Sequence, residues 1–136
     1  MRFMVMAVMN PAAQAGPPPS PESFAAMQQY NEAAGKAGIL LAAEGLAPQS
    51  TRVEFNGDER RVIDGPFAEA KEVVAGFMII QASSKEEAIE WVKRAPNASA
   101  DGKGVVEIRK LMDIEDFTEM MGDGFTPNEE VAKVKY

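Results

Sequence analysis

Few residue types in this chain could do acid–base or binding chemistry, because the sequence contains neither histidine nor cysteine. Asp64 is the first candidate. It precedes Gly65-Pro66, and a proline fixes its own φ and restricts the residue before it, so this carboxylate stands on a rigid corner. It could act as an acid or base towards a ligand, or it could only cap the turn by accepting the backbone N–H of Phe67 or Ala68. The sequence alone leaves both roles open.

Arg109 is the second candidate, and it lies in a segment that alternates like a strand. Val105, Glu107 and Arg109 share one face of that strand, whereas Val106 and Ile108 share the other. The planar guanidinium of Arg109 could hold the carboxylate of a small organic acid through two hydrogen bonds. The alternative is an internal salt bridge to Glu107 or Asp64, because an unpaired buried charge is too costly to keep.

Glu44, Glu107 and Phe67 complete the candidate ligand site. Phe67 follows the corner and would form one apolar wall of a cleft. Asp64, with Glu107 or Glu44, would carry any proton transfer. Such a carboxylate would have to be buried, because burial disfavours its charged form and so raises its pKa, which makes it a useful base. Glu44 stands among apolar residues, so it is either a pocket carboxylate or an edge-strand charge that points to solvent.

Two apolar strands and two capped helices must position these residues. Residues 3–9 and 73–80 are apolar at both parities, which predicts strands covered on both faces, and Gly76 predicts a bulge or a close backbone approach. Ser20-Pro21-Glu22 predicts the start of a helix that runs to Lys36. The other predicted elements are a strand over 39–46, a hairpin over 51–55 and 60–63, a helix from Ser83 or Ser84 to Ala95, a strand over 104–112 and a helix over 114–121 capped by Asp113.

The order β-α-β, hairpin, β-α-β predicts an α+β protein with a ferredoxin-like antiparallel sheet, helices on one face and an inserted β-hairpin. The hairpin is expected to extend the sheet as an exposed flap. Two helices cover only one face of the sheet, so the second face must be covered by something else. A second copy of the chain is the simplest cover, which predicts a homodimer of the dimeric α+β barrel type with Glu107 and Arg109 lining a cleft between the copies. Residues 1–112 form the expected domain, and residues 113–136 form a C-terminal helix and tail.

The sequence around this corner also resembles the signature of a known family. Asp64-Gly65-Pro66-Phe67, followed by Glu69, Lys71 and Glu72, resembles the signature of the DGPF family within the YCII-related group. The resemblance covers about residues 1–112 and includes three further segments in order: Glu44-Gly45-Leu46, Glu90-Trp91 and Val106-Glu107-Ile108-Arg109. It implies a ferredoxin-like dimer whose biochemical role is mostly unassigned. Some relatives carry a His/Asp pair proposed as catalytic, which this chain cannot have because it lacks histidine.

Composition narrows the classes of function. The formal charge of -7 argues against a nucleic-acid or anionic-membrane partner, because neither attracts an acidic surface. The absence of cysteine excludes disulfides and is typical of a cytoplasmic protein, and without histidine or cysteine no zinc or copper site is expected. The apolar run that begins the chain is short and is broken at Asn10-Pro11, so a strand is expected there and not a signal peptide. No cofactor is expected.

Two classes of function follow from these residues. The first is a dimeric module that binds a small molecule or a protein partner. Genes of DGPF relatives often accompany extracytoplasmic-function sigma factors, so the resemblance adds a regulatory role to this class. The second is a small enzyme that uses Asp64 as acid or base on an anionic organic substrate held by Arg109.

Overall fold

The computed structural model describes the chain except residues 68, 98, 100, 101, 123, 125, 127 and 134–136 and the side chains of residues 131 and 132. The strands are β1 (Arg2–Met9), β2 (Leu40–Gly45), β3 (Thr51–Asn56), β4 (Glu59–Asp64), β5 (Val73–Gln81) and β6 (Val105–Lys110). The helices are α1 (Pro11–Gln14), α2 (Pro21–Lys36), α3 (Lys85–Lys93), α4 (Ile114–Met121) and α5 (Glu129–Ala132).

Four strands form one antiparallel sheet in the order β2-β5-β1-β6. With α2 after β1 and α3 after β5, this arrangement is an α+β sandwich consistent with the ferredoxin-like prediction. The sheet does not close into a barrel, because β2 and β6 lie at opposite edges. Gly76 of β5 makes the predicted close approach: a Cβ there would lie 3.0 Å from the carbonyl oxygen of Glu44.

Local capping explains where the two long helices begin. Ser20 accepts the N–H of Ser23 at 3.1 Å, and Pro21 occupies the first turn of α2 as predicted. Ser84 accepts the N–H of Glu87 at 3.1 Å at the start of α3. The carboxylate of Glu87 in turn accepts both the N–H and the hydroxyl of Ser83 at 2.6 Å, and these hydrogen bonds lower the pKa of Glu87. In the described part of the chain, no helix is both long and apolar enough to cross a membrane.

The core lies between one face of the sheet and the helices α2 and α3. Phe3, Val5 and Ile80 of the sheet pack with Ala34 of α2 and Ala88 of α3, and each is at most 2% exposed. Ile108 of β6 packs against this cluster, which confirms that its face of β6 points towards the helices. A hydrogen bond of 2.8 Å from the hydroxyl of Tyr30 on α2 to the carbonyl of Trp91 joins the two helices, and burial raises the pKa of Tyr30.

The hairpin differs from the prediction. β3 and β4 pair only with each other and form a separate two-stranded sheet, so the hairpin does not extend the main sheet. All the residues of β3 are exposed, as expected of a flap. Gly57, with φ of 59°, supplies the left-handed conformation that the tight turn requires. The segment after β1 contains the short helix α1, whose first turn is capped by Asn10, which accepts the N–H of Ala13 at 2.7 Å.

The helix α4 has the predicted bounds and is fastened to the end of β6. Asp113 and Asp116 form a reciprocal capping box. Lys110, the last residue of β6, donates to the carboxylate of Asp116 at 2.7 Å. This hydrogen bond raises the pKa of Lys110 and lowers that of Asp116. The start of α4 is therefore held at the end of an edge strand.

Candidate functional site

The sheet face opposite the helices carries most of the predicted site residues. Residues directly opposite each other in neighbouring strands point to the same face. The register places Glu44, Phe77, Met6 and Glu107 in one row across the four strands. The next row contains Ala42, Ile79, Met4 and Arg109. We call this surface the open face; it comprises Met4, Met6, Ala42, Glu44, Phe77, Ile79, Glu107 and Arg109.

The open face is apolar in the centre and charged at its edges. Met4, Met6 and Phe77 are half-buried and Ile79 is 4% exposed, whereas Glu44, Glu107 and Arg109 on the edge strands are exposed. Strands in a sheet lie about 4.8 Å apart, so three spacings separate Glu44 from Glu107 by roughly 14 Å. The two carboxylates therefore cannot share one proton, and each borders the apolar centre from its own side.

Arg109 is exposed on the open face beside Met4. The predicted salt bridge to Glu107 or Asp64 does not form: among the described residues, no ion pair or hydrogen bond involves the Arg109 guanidinium. Its side chain keeps its donors for solvent or for a ligand. This is the arrangement that binding of an anion would require.

Asp64 occupies a different place, at the base of the hairpin. The hydroxyl of Thr51, its opposite residue in β3, donates to its carboxylate at 2.7 Å. The next residue continues this link, because the N–H of Gly65 donates to the carbonyl of Ser50 at 2.8 Å. The bond from Gly65 to Pro66 is cis. The donors predicted for Asp64 are the backbone N–H groups of Phe67 and Ala68. Ala68 lies outside the described residues. The described hydrogen bond to the Asp64 carboxylate comes from Thr51 across the hairpin.

The ring of Phe67 is covered by Arg52, a residue that is not among the predicted site residues. The guanidinium carbon of Arg52 lies 3.7 Å from the centre of the Phe67 ring, within the range of a cation–π contact. The same guanidinium lies 3.6 Å from the carboxylate of Glu69. Arg52 therefore ties the corner to the hairpin. The register of the hairpin places Arg52 opposite Ile63, on the hairpin face that turns towards the corner, and this position is the signal for the contact in the sequence.

The predicted site thus divides into two groups. Arg109, Glu107 and Glu44 share the open face, whereas Asp64 and Phe67 belong to the hairpin base. No described contact joins Asp64 to Arg109. The open face sets an exposed arginine beside apolar side chains, and the described contacts of the hairpin base hold the chain in its path between β4 and β5.

The hydrogen bond between Thr51 and Asp64 gives a testable expectation for the hairpin base. Asp64→Ala should lower the free energy of unfolding by roughly 0.5–1 kcal/mol, because an exposed hydrogen bond is worth about that much. Asp64→Asn keeps an acceptor and should lose less. Thr51→Val removes the donor from the other side, so the Asp64→Ala/Thr51→Val double variant should lose less than the sum of the single losses. Urea unfolding measures all four; equal losses for Asp64→Ala and Asp64→Asn would show that the negative charge matters, not the hydrogen bond.

The four-stranded sheet with two helices on one face defines the chain as a small α+β sandwich protein. Residues 1–115 match the YCII-related domain family, and the chain belongs to that family. It is also similar to an uncharacterized protein of Rhizobium meliloti, with 33% identity over 88 residues, which cover 65% of this chain and 69% of the relative.

Proposed function

We propose that this chain is a homodimeric module that binds a small organic acid on its open face. The observation that carries the proposal is Arg109, whose guanidinium is exposed beside Met4 and makes no described ion pair or hydrogen bond. A carboxylate ligand would accept two parallel hydrogen bonds from its planar fork. Such a contact gives orientation as well as affinity.

The residues around Arg109 restrict the ligand. Met4, Met6 and Phe77 offer an apolar surface, and methionine side chains adapt to ligands of different shape. Glu107 would repel a second anionic group placed near it and would accept a hydrogen bond from a hydroxyl or an amine. The favoured class is therefore a monocarboxylic acid with an apolar body, and a hydrogen-bond donor on that body would add affinity.

The same surface supports the proposed homodimer. The open face is apolar in the centre, and neither α2 nor α3 covers it, since both helices pack on the other face. Val105 at its margin is 64% exposed and Val74 is 38% exposed. A second copy placed face to face, with its sheet about 10 Å away, would cover these side chains. The cleft between the copies would then hold the ligand against Arg109.

The enzymatic alternative, with Asp64 as acid or base, receives less support from the geometry. Asp64 is exposed, its carboxylate accepts the Thr51 hydroxyl, and no described contact brings it to Arg109. A base must lie within hydrogen-bond reach of the proton that it removes. A ligand held by Arg109 on the open face has Glu107 as its nearest carboxylate along the strand.

A thermal-shift screen of small monocarboxylic acids tests the ligand site. An acid at a hundred times its dissociation constant stabilises the folded protein by about 2.7 kcal/mol, enough to raise Tm by several degrees. We expect this rise in the wild type and its loss in Arg109→Ala. Arg61→Ala is the matched control, since Arg61 is an exposed arginine on the hairpin, and it should keep the full rise. Equal stabilisation of Arg109→Ala and wild type, or no acid that stabilises the wild type, would contradict the proposal.

A further inference from the structure

The outer edge of the hairpin strand β3 carries backbone groups that point away from its only partner strand. The N–H of Gly65 donates to the carbonyl of Ser50, so these two residues form a hydrogen-bonded pair of the antiparallel ladder. Such pairs alternate with non-hydrogen-bonded pairs. Thr51, Val53 and Phe55 therefore occupy non-hydrogen-bonded positions, where the N–H and C=O groups turn away from β4. Among the described residues, no backbone hydrogen bond uses these outward groups.

This edge is suited to the addition of a further strand. Natural edge strands are often blunted by a proline or by a β-bulge. β3 contains no proline, and its six residues pair with β4 without an irregularity. By contrast, β2 at the edge of the main sheet has a register shift between Leu40 and Ala42. Because an isolated two-stranded hairpin is only marginally stable in water, a further strand on β3 would also stabilise the hairpin.

Charge identifies a strand that fits this edge, and that strand is β3 itself. In antiparallel pairing, outward groups must meet outward groups, so Val53 can lie opposite Thr51, Val53 or Phe55 of a second β3. With Val53 opposite Val53, Arg52 of each copy lies opposite Glu54 of the other. The two neighbouring registers place Arg52 opposite Arg52 or Glu54 opposite Glu54. Like charges directly opposite each other are destabilising, so one register is favoured.

The charged groups needed for this register are accessible. Glu54 is exposed, and among the described residues its carboxylate makes no ion pair or hydrogen bond. The side chain of Arg52 is 49% exposed, and its described ion pair, to Glu69, is long at 3.6 Å. A second β4 could in the same way place Arg60 opposite Asp64, but both of these groups already have hydrogen-bond partners within the hairpin.

We infer that β3 pairs antiparallel with β3 of a second copy of the chain, about a two-fold axis at Val53. The two hairpins then form one four-stranded sheet. Val53 and Val62 of both copies make a continuous apolar row on one face of it, and two ion pairs between Arg52 and Glu54 lie on the other. Two short strands bury little surface, so this contact is expected to be weak and to form at concentrations far above micromolar. It does not use the open face and is independent of the proposed facing dimer.

Cysteine cross-linking tests the pairing, because the chain contains no cysteine of its own. In the inferred sheet the two Val53 Cα atoms are about 5.5 Å apart, a usual separation across a disulfide. Val62→Cys is the matched control, since Val62 lies opposite Val53 on the same face of the hairpin. The two Val62 residues are three strand spacings apart in the inferred sheet, roughly 14 Å, which is too far for a disulfide.

Both full-length variants are oxidised mildly at high concentration, and covalent dimer of twice the 14.7 kDa chain mass is measured under denaturing conditions. We expect several times more dimer from Val53→Cys, although Val53 is 49% exposed and Val62 is 67% exposed. Equal yields, or a higher yield from Val62→Cys, would overturn the inference.

A charge exchange tests the register. In the Val53→Cys chain, Glu54→Lys places a lysine opposite Arg52 of the second copy, so the yield should fall several-fold. Arg52→Glu in the same chain places two acids opposite each other and should also lower it. A mixture of these two chains restores opposite charges at both positions and should cross-link better than either chain alone. An unchanged yield in Glu54→Lys, or a mixture no better than its components, would show that the register is wrong. Neither result affects the facing dimer, because none of the changed residues lies on the open face.

Discussion

Ile80→Ala is expected to lower the free energy of unfolding by about 2–5 kcal/mol, the cost of truncating a fully buried aliphatic side chain. Ile80 is 1% exposed and lies opposite Phe3 on one side and Leu40 on the other, in the centre of the cluster beneath α2 and α3. Truncation of its side chain leaves a cavity between the sheet, α2 and α3, and these packed elements cannot move enough to fill it. Since domains of this size are stable by only about 5–15 kcal/mol, the variant should lose a large part of its stability.

Urea unfolding, followed by circular dichroism, measures the loss. Phe24→Ala is the control: Phe24 is 60% exposed on α2, and a surface substitution should change the free energy of unfolding by about 0.5 kcal/mol or less. Similar losses for the two variants would mean that the core does not lie between the sheet and the two helices.

Much of the fold could be predicted because its signals are local. The start of α2 is determined by a serine and a proline in succession, and the start of α4 by Asp113, so neither depends on distant parts of the chain. The two strands apolar at both parities took the two central places in the sheet, β1 and β5. Alternation in β6 also predicted correctly that Ile108 faces the helices and that Arg109 does not.

The rest depends on packing that alternation does not encode. The pattern of the hairpin predicts that its two strands pair, but it does not say whether either strand also joins the main sheet. The contact between Thr51 and Asp64 has a signal in the sequence, namely the register of the hairpin. The register that places Phe55 opposite Arg60 also places Thr51 opposite Asp64, so the partner lay across the hairpin and not in the corner that follows. The contact of Arg52 with Phe67 could not be predicted, because it depends on the path that the chain takes through the corner.

The open face gives the second large expectation, which concerns Met6→Glu. Met6 lies in the middle of the open face, between Phe77 on β5 and Glu107 on β6. In the proposed dimer the new carboxylate would be buried beside another acid. An unpaired buried charge costs several kcal/mol, and each 1.4 kcal/mol is tenfold in affinity, so the dimer should weaken by about 100-fold or more.

Sedimentation at micromolar concentration measures this change. The wild type should sediment at twice the 14.7 kDa chain mass and Met6→Glu at the mass of one chain. Phe24→Glu introduces the same charge on α2, away from the open face, and should remain a dimer. Circular dichroism of Met6→Glu distinguishes a separated monomer from an unfolded chain. A Met6→Glu protein that stays folded and dimeric would place the dimer interface elsewhere, because no facing pair of sheets could bury that carboxylate without a large loss of affinity.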